Sequence, residues 1–241
     1  LEVLKKLQEA RHHADSSAWD RNWEKALADF RATGNIVPSF IRPDQPVRRN
    51  GAFWNGEDEL VFVRSLQLWL SLELRECDSI HEFGCGAGFN LVALAGWNPE
   101  KVYLGYDRSQ FAAQLTREAG EKFGIMSGTF DMLEPKGTLP PGAGVFTFGA
   151  MEQLGRFQTF IEWLIAQKPA KVVHIEPIPE LLDENNLLDW LSIQFHKKRG
   201  YTTGLLPYLK SRHIVEVLHV ERSNFGSLML ESYARIVWRP T

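Results

Sequence analysis

Cysteine is almost absent: Cys77 and Cys85 are the only two in 241 residues. Two thiols build neither a disulfide framework nor a cysteine-rich zinc site. No apolar run approaches the roughly 20 residues needed to span a bilayer, so membrane insertion is not expected. Charge is nearly balanced, with 27 basic and 30 acidic side chains and a net charge of -3. That balance argues against wholesale binding of nucleic acid or another polyanion. The opening LEVLKKLQEA has neither the basic start nor the apolar centre of a secretion signal, so a cytoplasmic location is expected. It begins on Leu rather than Met, which implies a natural start further upstream. Internal repeats and low-complexity segments are also missing.

What is present is a hydrophobic content of 44%, enough for a substantial core. The length suits one domain with an appendage, or two small domains. Residues 1–75 read as a helical cap or extension. In SSAWDRNWEKALADFRATG, Trp19, Trp23, Ala26, Leu27 and Phe30 recur at spacings of three and four, and Thr33-Gly34 provides a stop. The next 22 residues, NIVPSFIRPDQPVRRNGAFWNG, read as a long loop of the kind that often carries function. GEDELVFVRSLQLWLSLELREC follows as a helix with acids in its first turn and an apolar face from Leu60 to Leu74.

From residue 79 strands alternate with helices. SIHEF, KVYLGYD, part of IMSGTFDML, GAGVFTFGAM and AKVVHIEPI read as five strands with helical segments between them. That spacing implies a parallel sheet covered by helices on both faces. HIVEVLHVERSN and SYARIVWRP are separated by no helix, so they are expected to pair antiparallel as a closing hairpin.

The first strand runs into IHEFGCGAGFNLVALA, with Gly84, Gly86 and Gly88 at alternate positions. Glycines in a strand-to-helix turn let a ligand approach the backbone, and the helix start beyond favours negative charge. A dinucleotide fingerprint, G-x-G-x-x-G, requires its third glycine at position 89, which is Phe89. Glu82 stands two residues ahead of the first glycine, and Asp107 ends the second strand, where a carboxylate can hold a ribose diol. Asp131, in GTFDML after the third strand, can accept a bond from an adenine amino group.

HEFGCGAG, YLGYD, GTFDML and the closing ARIVWRP together resemble the class I S-adenosylmethionine-dependent methyltransferases, over roughly the last two thirds of the chain. The resemblance implies a Rossmann-like α/β fold: a seven-stranded sheet, its last strand antiparallel, with helices on both faces. Residues 76–241 would be the cofactor-binding methyltransferase domain, carrying residues 1–75 as an extension. It also implies S-adenosylmethionine as cofactor. Gly84, Gly86, Gly88 and the loop backbone would face the methionine portion, with Glu82 near its amino group. Asp107 would bind the ribose, and Asp131 with the Met132 backbone would read the adenine. RSNFGSLMLESYARIVWRP and FHKKRGY are similar, more narrowly, to sugar methyltransferases associated with bacterial surface glycans.

The acceptor is expected beyond the carboxyl ends of the fourth and fifth strands. Glu152, His174, Glu176 and His196 are the candidate general bases, with Glu152 and Glu176 favoured. Three have a structural alternative: for Glu152 an acid at a helix start, for His174 a core histidine, for His196 a solvated helix end. No H-x-H, H-x-x-x-H or D-x-D cluster occurs, so no metal is expected, and turnover should survive excess EDTA. Arg42, Arg48, Arg49, Phe53 and Trp54 would grip a sugar or phosphorylated carrier from the cap; a homodimer surface is the alternative use of those helices. The partner is thus a small-molecule or glycan acceptor, most naturally methylated at oxygen. The competing functions are a nicotinamide-dependent oxidoreductase, which Phe89 and the closing hairpin disfavour, and a cofactor-binding module without catalysis. A nucleic-acid methyltransferase is disfavoured because FTFGAMEQ contains no N-P-P-Y or D-P-P-Y element.

Overall fold

The computed structural model describes residues 2–11, 16–41 and 43–241. Arg42, one of the expected acceptor contacts, lies outside them. The chain runs α1 (Glu2–Glu9), α2 (Ser16–Thr33), β1 (Val47–Arg49), β2 (Ala52–Trp54), α3 (Glu57–Glu73), β3 (Ser79–Phe83) and α4 (Phe89–Trp97). It continues through β4 (Val102–Asp107), α5 (Gln110–Gly120), β5 (Met126–Thr129), β6 (Ala143–Phe148), α6 (Gln158–Gln167) and β7 (Lys171–Glu176). α7 (Leu187–Arg199), α8 (Leu205–Ser211), β8 (Val215–Glu221), β9 (Phe225–Gly226) and β10 (Ala234–Pro240) complete it.

Seven strands form one sheet in the order β5-β4-β3-β6-β7-β10-β8. β3, β4, β5, β6 and β7 pair parallel. β10 runs antiparallel to both β7 and β8, as the two alternating segments at the end of the sequence require. Side-chain alternation divides the central strands between two faces. Val145, Val172 and Ile236 pack with Phe160, Leu164 and Leu209 of α6 and α8. Their neighbours Phe146, Val173 and Val237 pack with Leu66 and Leu70 of α3 and Leu91 and Leu94 of α4. The result is a three-layer sandwich whose central strands β3, β6 and β7 are buried on both sides, which is why they read as near-continuous apolar runs.

The long loop after α2 contains structure that its prolines and glycines conceal. β1 and β2 form a hairpin about Asn50-Gly51, the dipeptide a two-residue hairpin turn favours. β1 also pairs with β9, making a small three-stranded sheet from the two ends of the chain. α3 supplies Val63, Leu66, Leu70 and Leu74 to the same apolar cluster as Ile80 of β3. The first 75 residues therefore share the core of the remainder. β9 and α8 were also unmarked by any sequence signal noted above.

Arg48 corrects an expectation. It is almost fully buried, with its guanidinium donating to Asp189, to Glu231 Oε1 at 2.6 Å and to Ser192 Oγ at 3.1 Å. Arg222 joins the same two acids, reaching Glu231 Oε2 at 2.7 Å and Asp189 Oδ1 at 2.9 Å. Two cations and two anions thus lock the hairpin and the β8–β10 connection to α7, leaving Arg48 no freedom to grip an acceptor. Removing one partner of a buried charge set strands the others. Arg48→Met is expected to cost roughly 3–5 kcal/mol of stability, measured by urea denaturation; an unchanged midpoint would contradict this role for the network.

Candidate cofactor and acceptor site

The site lies where the parallel strands end, and backbone geometry builds it first. After β3 the chain turns sharply, and the amides of Gly84 and Cys85 both donate to the Tyr106 carbonyl, at 2.7 and 3.0 Å. Gly84 and Gly86 have φ of +77° and +53°, a region that favours glycine. A Cβ on Gly84 would run into Ala150, and one on Gly86 would lie 2.6 Å from Cη2 of Trp23. The turn therefore needs glycine for both conformation and space.

Asp107, at the end of β4, fastens this turn. Its Oδ2 accepts from the Gly86 amide at 3.1 Å and its Oδ1 from the Ser109 amide at 2.9 Å, at the head of α5. Burial pushes its pKa upward, with the backbone donors opposing that push. Glu82 is almost fully buried beneath the turn. Asn90 Nδ2 donates to its Oε1 at 2.7 Å, and Gln67 holds Asn90 in turn. Glu82 Oε2 has no hydrogen-bond partner among the described residues. Burial pushes this carboxyl up to about 8, the Asn90 bond only partly opposing it.

The glycine turn and Asp107 border a cleft of about 310 Å³, with Glu82 and Asn90 behind the turn and outside its lining. Gly84, Asp107 and Ser109 line it at the loop, Phe130 to Leu133 at one end, and Gly149, Ala150, Gln153 and Leu154 at the other. Trp19, Asp20 and Trp23 of α2 complete the wall. Asp131 Oδ1 accepts from the Leu133 amide at 2.8 Å, and its Oδ2 lies 3.6 Å from Arg108 Nε at the exposed rim.

The candidate bases occupy different settings. Glu176 accepts from the amides of Ala150, Met151 and Glu152 at 3.1, 3.1 and 3.2 Å, so it pins the short helical turn Met151–Leu154 that follows β6. Glu152 sits on that turn, half-buried, next to Gln153 of the cleft wall. Burial and the Glu176 charge push Glu152 up to about 8. His174 does not reach the cleft. It is fully buried, its Nδ1 lies 2.9 Å from Thr147 Oγ1, and its ring stacks near Trp238. Burial lowers its pKa to about 3, which makes it a neutral core residue. His196 is buried too, its ring edge-on to Tyr201 and its pKa lowered by burial to about 4. Lys198 and Arg199 beside it donate to the carbonyls of Leu7, Gln8 and Arg11 at the end of α1, favourable ground for cations. Of the expected cap contacts, Arg49 lies over the Trp54 ring, and Phe53 and Trp54 are about half exposed at the hairpin; none of the three is among the residues lining the cleft, and Arg49 borders a separate surface pocket with Phe62 and Phe225.

Sequence reasoning assigned no site role to Asn90 or Ser109, and read Trp19 and Trp23 only as the apolar face of a helix. Among the described residues no group of three His, Cys, Asp or Glu side chains converges as a metal site. No helix there is long and apolar enough to cross a membrane.

The strand order with β10 reversed, and a cleft at the carboxyl ends of β3, β4 and β6, define the class I S-adenosylmethionine-dependent methyltransferase fold. Solved structures share it. The chain is similar to the magnesium protoporphyrin IX methyltransferase of Synechocystis, solved with S-adenosylhomocysteine bound, at TM-score 0.62 and 12% identity over 94% of this chain and 100% of that one. An N-methyltransferase of Bradyrhizobium japonicum aligns at TM-score 0.59 and 13% identity, covering 91% and 98%. A methyltransferase of Anabaena variabilis aligns at 0.55 and 15%, covering 97% and 98%. Identities this low establish the fold and nothing finer. No family model matches the chain, and no curated protein does.

Glu82 gives a prediction with a definite sign. Its folded pKa, about 8, exceeds its ordinary value of 4.5, so between those limits the folded chain holds a proton the unfolded chain has lost. Its contribution to stability therefore declines as pH rises through that window. Glu82→Gln should flatten the decline, seen as a Tm advantage over wild type that widens from pH 5 to pH 8. An advantage independent of pH would contradict it.

Proposed function

We propose that the protein is an S-adenosylmethionine-dependent methyltransferase acting at a hydroxyl of a small or carbohydrate acceptor. The observation that carries this reading is Glu82 Oε2, a buried acceptor without a partner beneath the glycine turn. Buried polar groups ordinarily find partners, and the amino group of the cofactor's methionine portion would supply one. The rest of the cleft fits the same ligand. Asp107 stands at the end of β4 with lone pairs left for ribose hydroxyls, and the Phe130–Leu133 segment offers apolar surface and backbone to an adenine. Phe89 argues against a dinucleotide: its side chain is buried under Arg64 where the fingerprint requires a third glycine.

When bound, the cofactor's sulfonium supplies an activated methyl group. The chain's own tasks are positioning, exclusion of water and proton removal. α2 and the turn after β6 enclose the reacting region from two sides. Positioning alone can contribute on the order of 7–11 kcal/mol. Glu152 is the group we assign to take the acceptor's hydroxyl proton, because it sits on the turn that gives Ala150, Gln153 and Leu154 to the cleft, and burial with the Glu176 charge raises its carboxyl toward neutral pH. Glu176 acts through it as a positioning residue, fixing the Met151–Leu154 turn through three amides.

The test is production of S-adenosylhomocysteine that depends on an added hydroxylated acceptor. Asp107→Ala should abolish cofactor binding by calorimetry. Glu152→Gln should lower kcat by roughly 100- to 10,000-fold while leaving cofactor affinity intact. In wild type, kcat should climb with pH and level off above about 8, the value for Glu152. A flat profile, or full activity in Glu152→Gln, would remove that residue from the role.

A further inference from the structure

The cleft has a roof that no part of the cofactor reading assigns. α2 presents Trp19, Asp20 and Trp23 to it, one helical turn of residues on one face. The following turns anchor the helix. Leu27 packs with Ala87 and Leu115, and Phe30 adjoins them. Arg31 makes a two-pronged contact with Glu118 of α5 at 2.9 and 2.6 Å. The roof therefore rests on α5, which Asp107 already ties to the glycine turn through Ser109.

The roof is unlike a simple packing surface. Trp23 reaches down onto Gly86, so the glycine turn is shaped to admit this indole. Asp20 faces the same cleft as Asp107, and its charge adds to the forces raising the Asp107 pKa. Asp131 lines the cleft as well, and among the described residues Arg108 is the only basic side chain in its lining. Three carboxylates against one guanidinium make the lining anionic, and a cation within the cleft offsets their mutual repulsion. Indole rings add to that preference through the negative charge over their faces.

We propose that Trp19, Asp20 and Trp23 form a charge-selective roof that favours S-adenosylmethionine over S-adenosylhomocysteine. The proposal rests on the cofactor reading above. The two compounds differ by one methyl group and the positive charge of the sulfonium, so an anionic, indole-lined roof distinguishes them where a neutral one would not. The functional consequence is release: once the methyl group leaves, the charge that held the ligand under the roof is gone.

The experiment is calorimetric titration of the full chain with S-adenosylmethionine, S-adenosylhomocysteine and sinefungin, in which an amine-bearing carbon replaces the sulfonium and retains a positive charge. Asp20→Asn and Trp19→Leu lie on the outer turn of α2 and are the primary variants. Trp23→Leu is paired with Trp23→Phe, because this ring also packs against the core. Asp20→Asn and Trp19→Leu should each weaken the two charged ligands by roughly 3- to 10-fold with S-adenosylhomocysteine unchanged. Trp23→Phe should keep more of the selectivity than Trp23→Leu. If wild type binds all three and the variants weaken them equally or not at all, the roof is not selective and the proposal falls alone. If wild type binds none, the cofactor reading falls and takes the proposal with it.

Discussion

The site depends on the two-sided hold of Asp107. One carboxylate oxygen fixes the glycine turn and the other fixes the head of α5, so the end of β4 sets the position of both neighbours. The turn in turn covers Glu82, and α5 carries α2 through Arg31 and Glu118. Floor, wall and roof of the cleft are all referred to one side chain. A carboxylate in this place organises the backbone before any ligand arrives, which is preorganisation in the sense that lowers the cost of binding.

A second constraint governs the acceptor side. Glu176 saturates three amides of the turn after β6, and that turn delivers Glu152 and Gln153. Burial raises the pKa of both glutamates; what separates them is contact, since Glu176 holds three backbone amides while Glu152 sits on the turn those amides belong to. The buried Arg48–Asp189–Glu231–Arg222 set serves a third purpose, binding the two ends of the chain to α7. Its cost in desolvation is considerable, but each charge has opposite charges within hydrogen-bonding distance.

Much of the fold was legible in the sequence because strands buried on both faces, spaced by helices, leave a strong periodic signal. The glycine spacing, Asp107 and the paired terminal strands were local and could be read directly. What escaped was set by distance along the chain. Arg48 reads as an exposed arginine in a basic run until Asp189 and Glu231, 141 and 183 residues later, bury it. His174 carries no sequence mark separating a core histidine from a base. The β1–β2 hairpin announced itself through Asn50-Gly51, but three prolines nearby obscured the strands. The roof was hidden for another reason: Trp19 and Trp23 satisfy the ordinary pattern of an amphipathic helix, and only the cleft beneath them gives them a different use.

The proposed cofactor role of Glu82 is tested most directly by whether its carboxyl, raised by burial to about 8, loses a proton when the ligand's amino group arrives. Calorimetric binding of S-adenosylhomocysteine at pH 7, repeated in buffers of different ionisation enthalpy, counts the protons exchanged. Release of close to one proton per ligand, lost in Glu82→Gln, is the predicted result. Binding without proton release, or release that persists in Glu82→Gln, would contradict it.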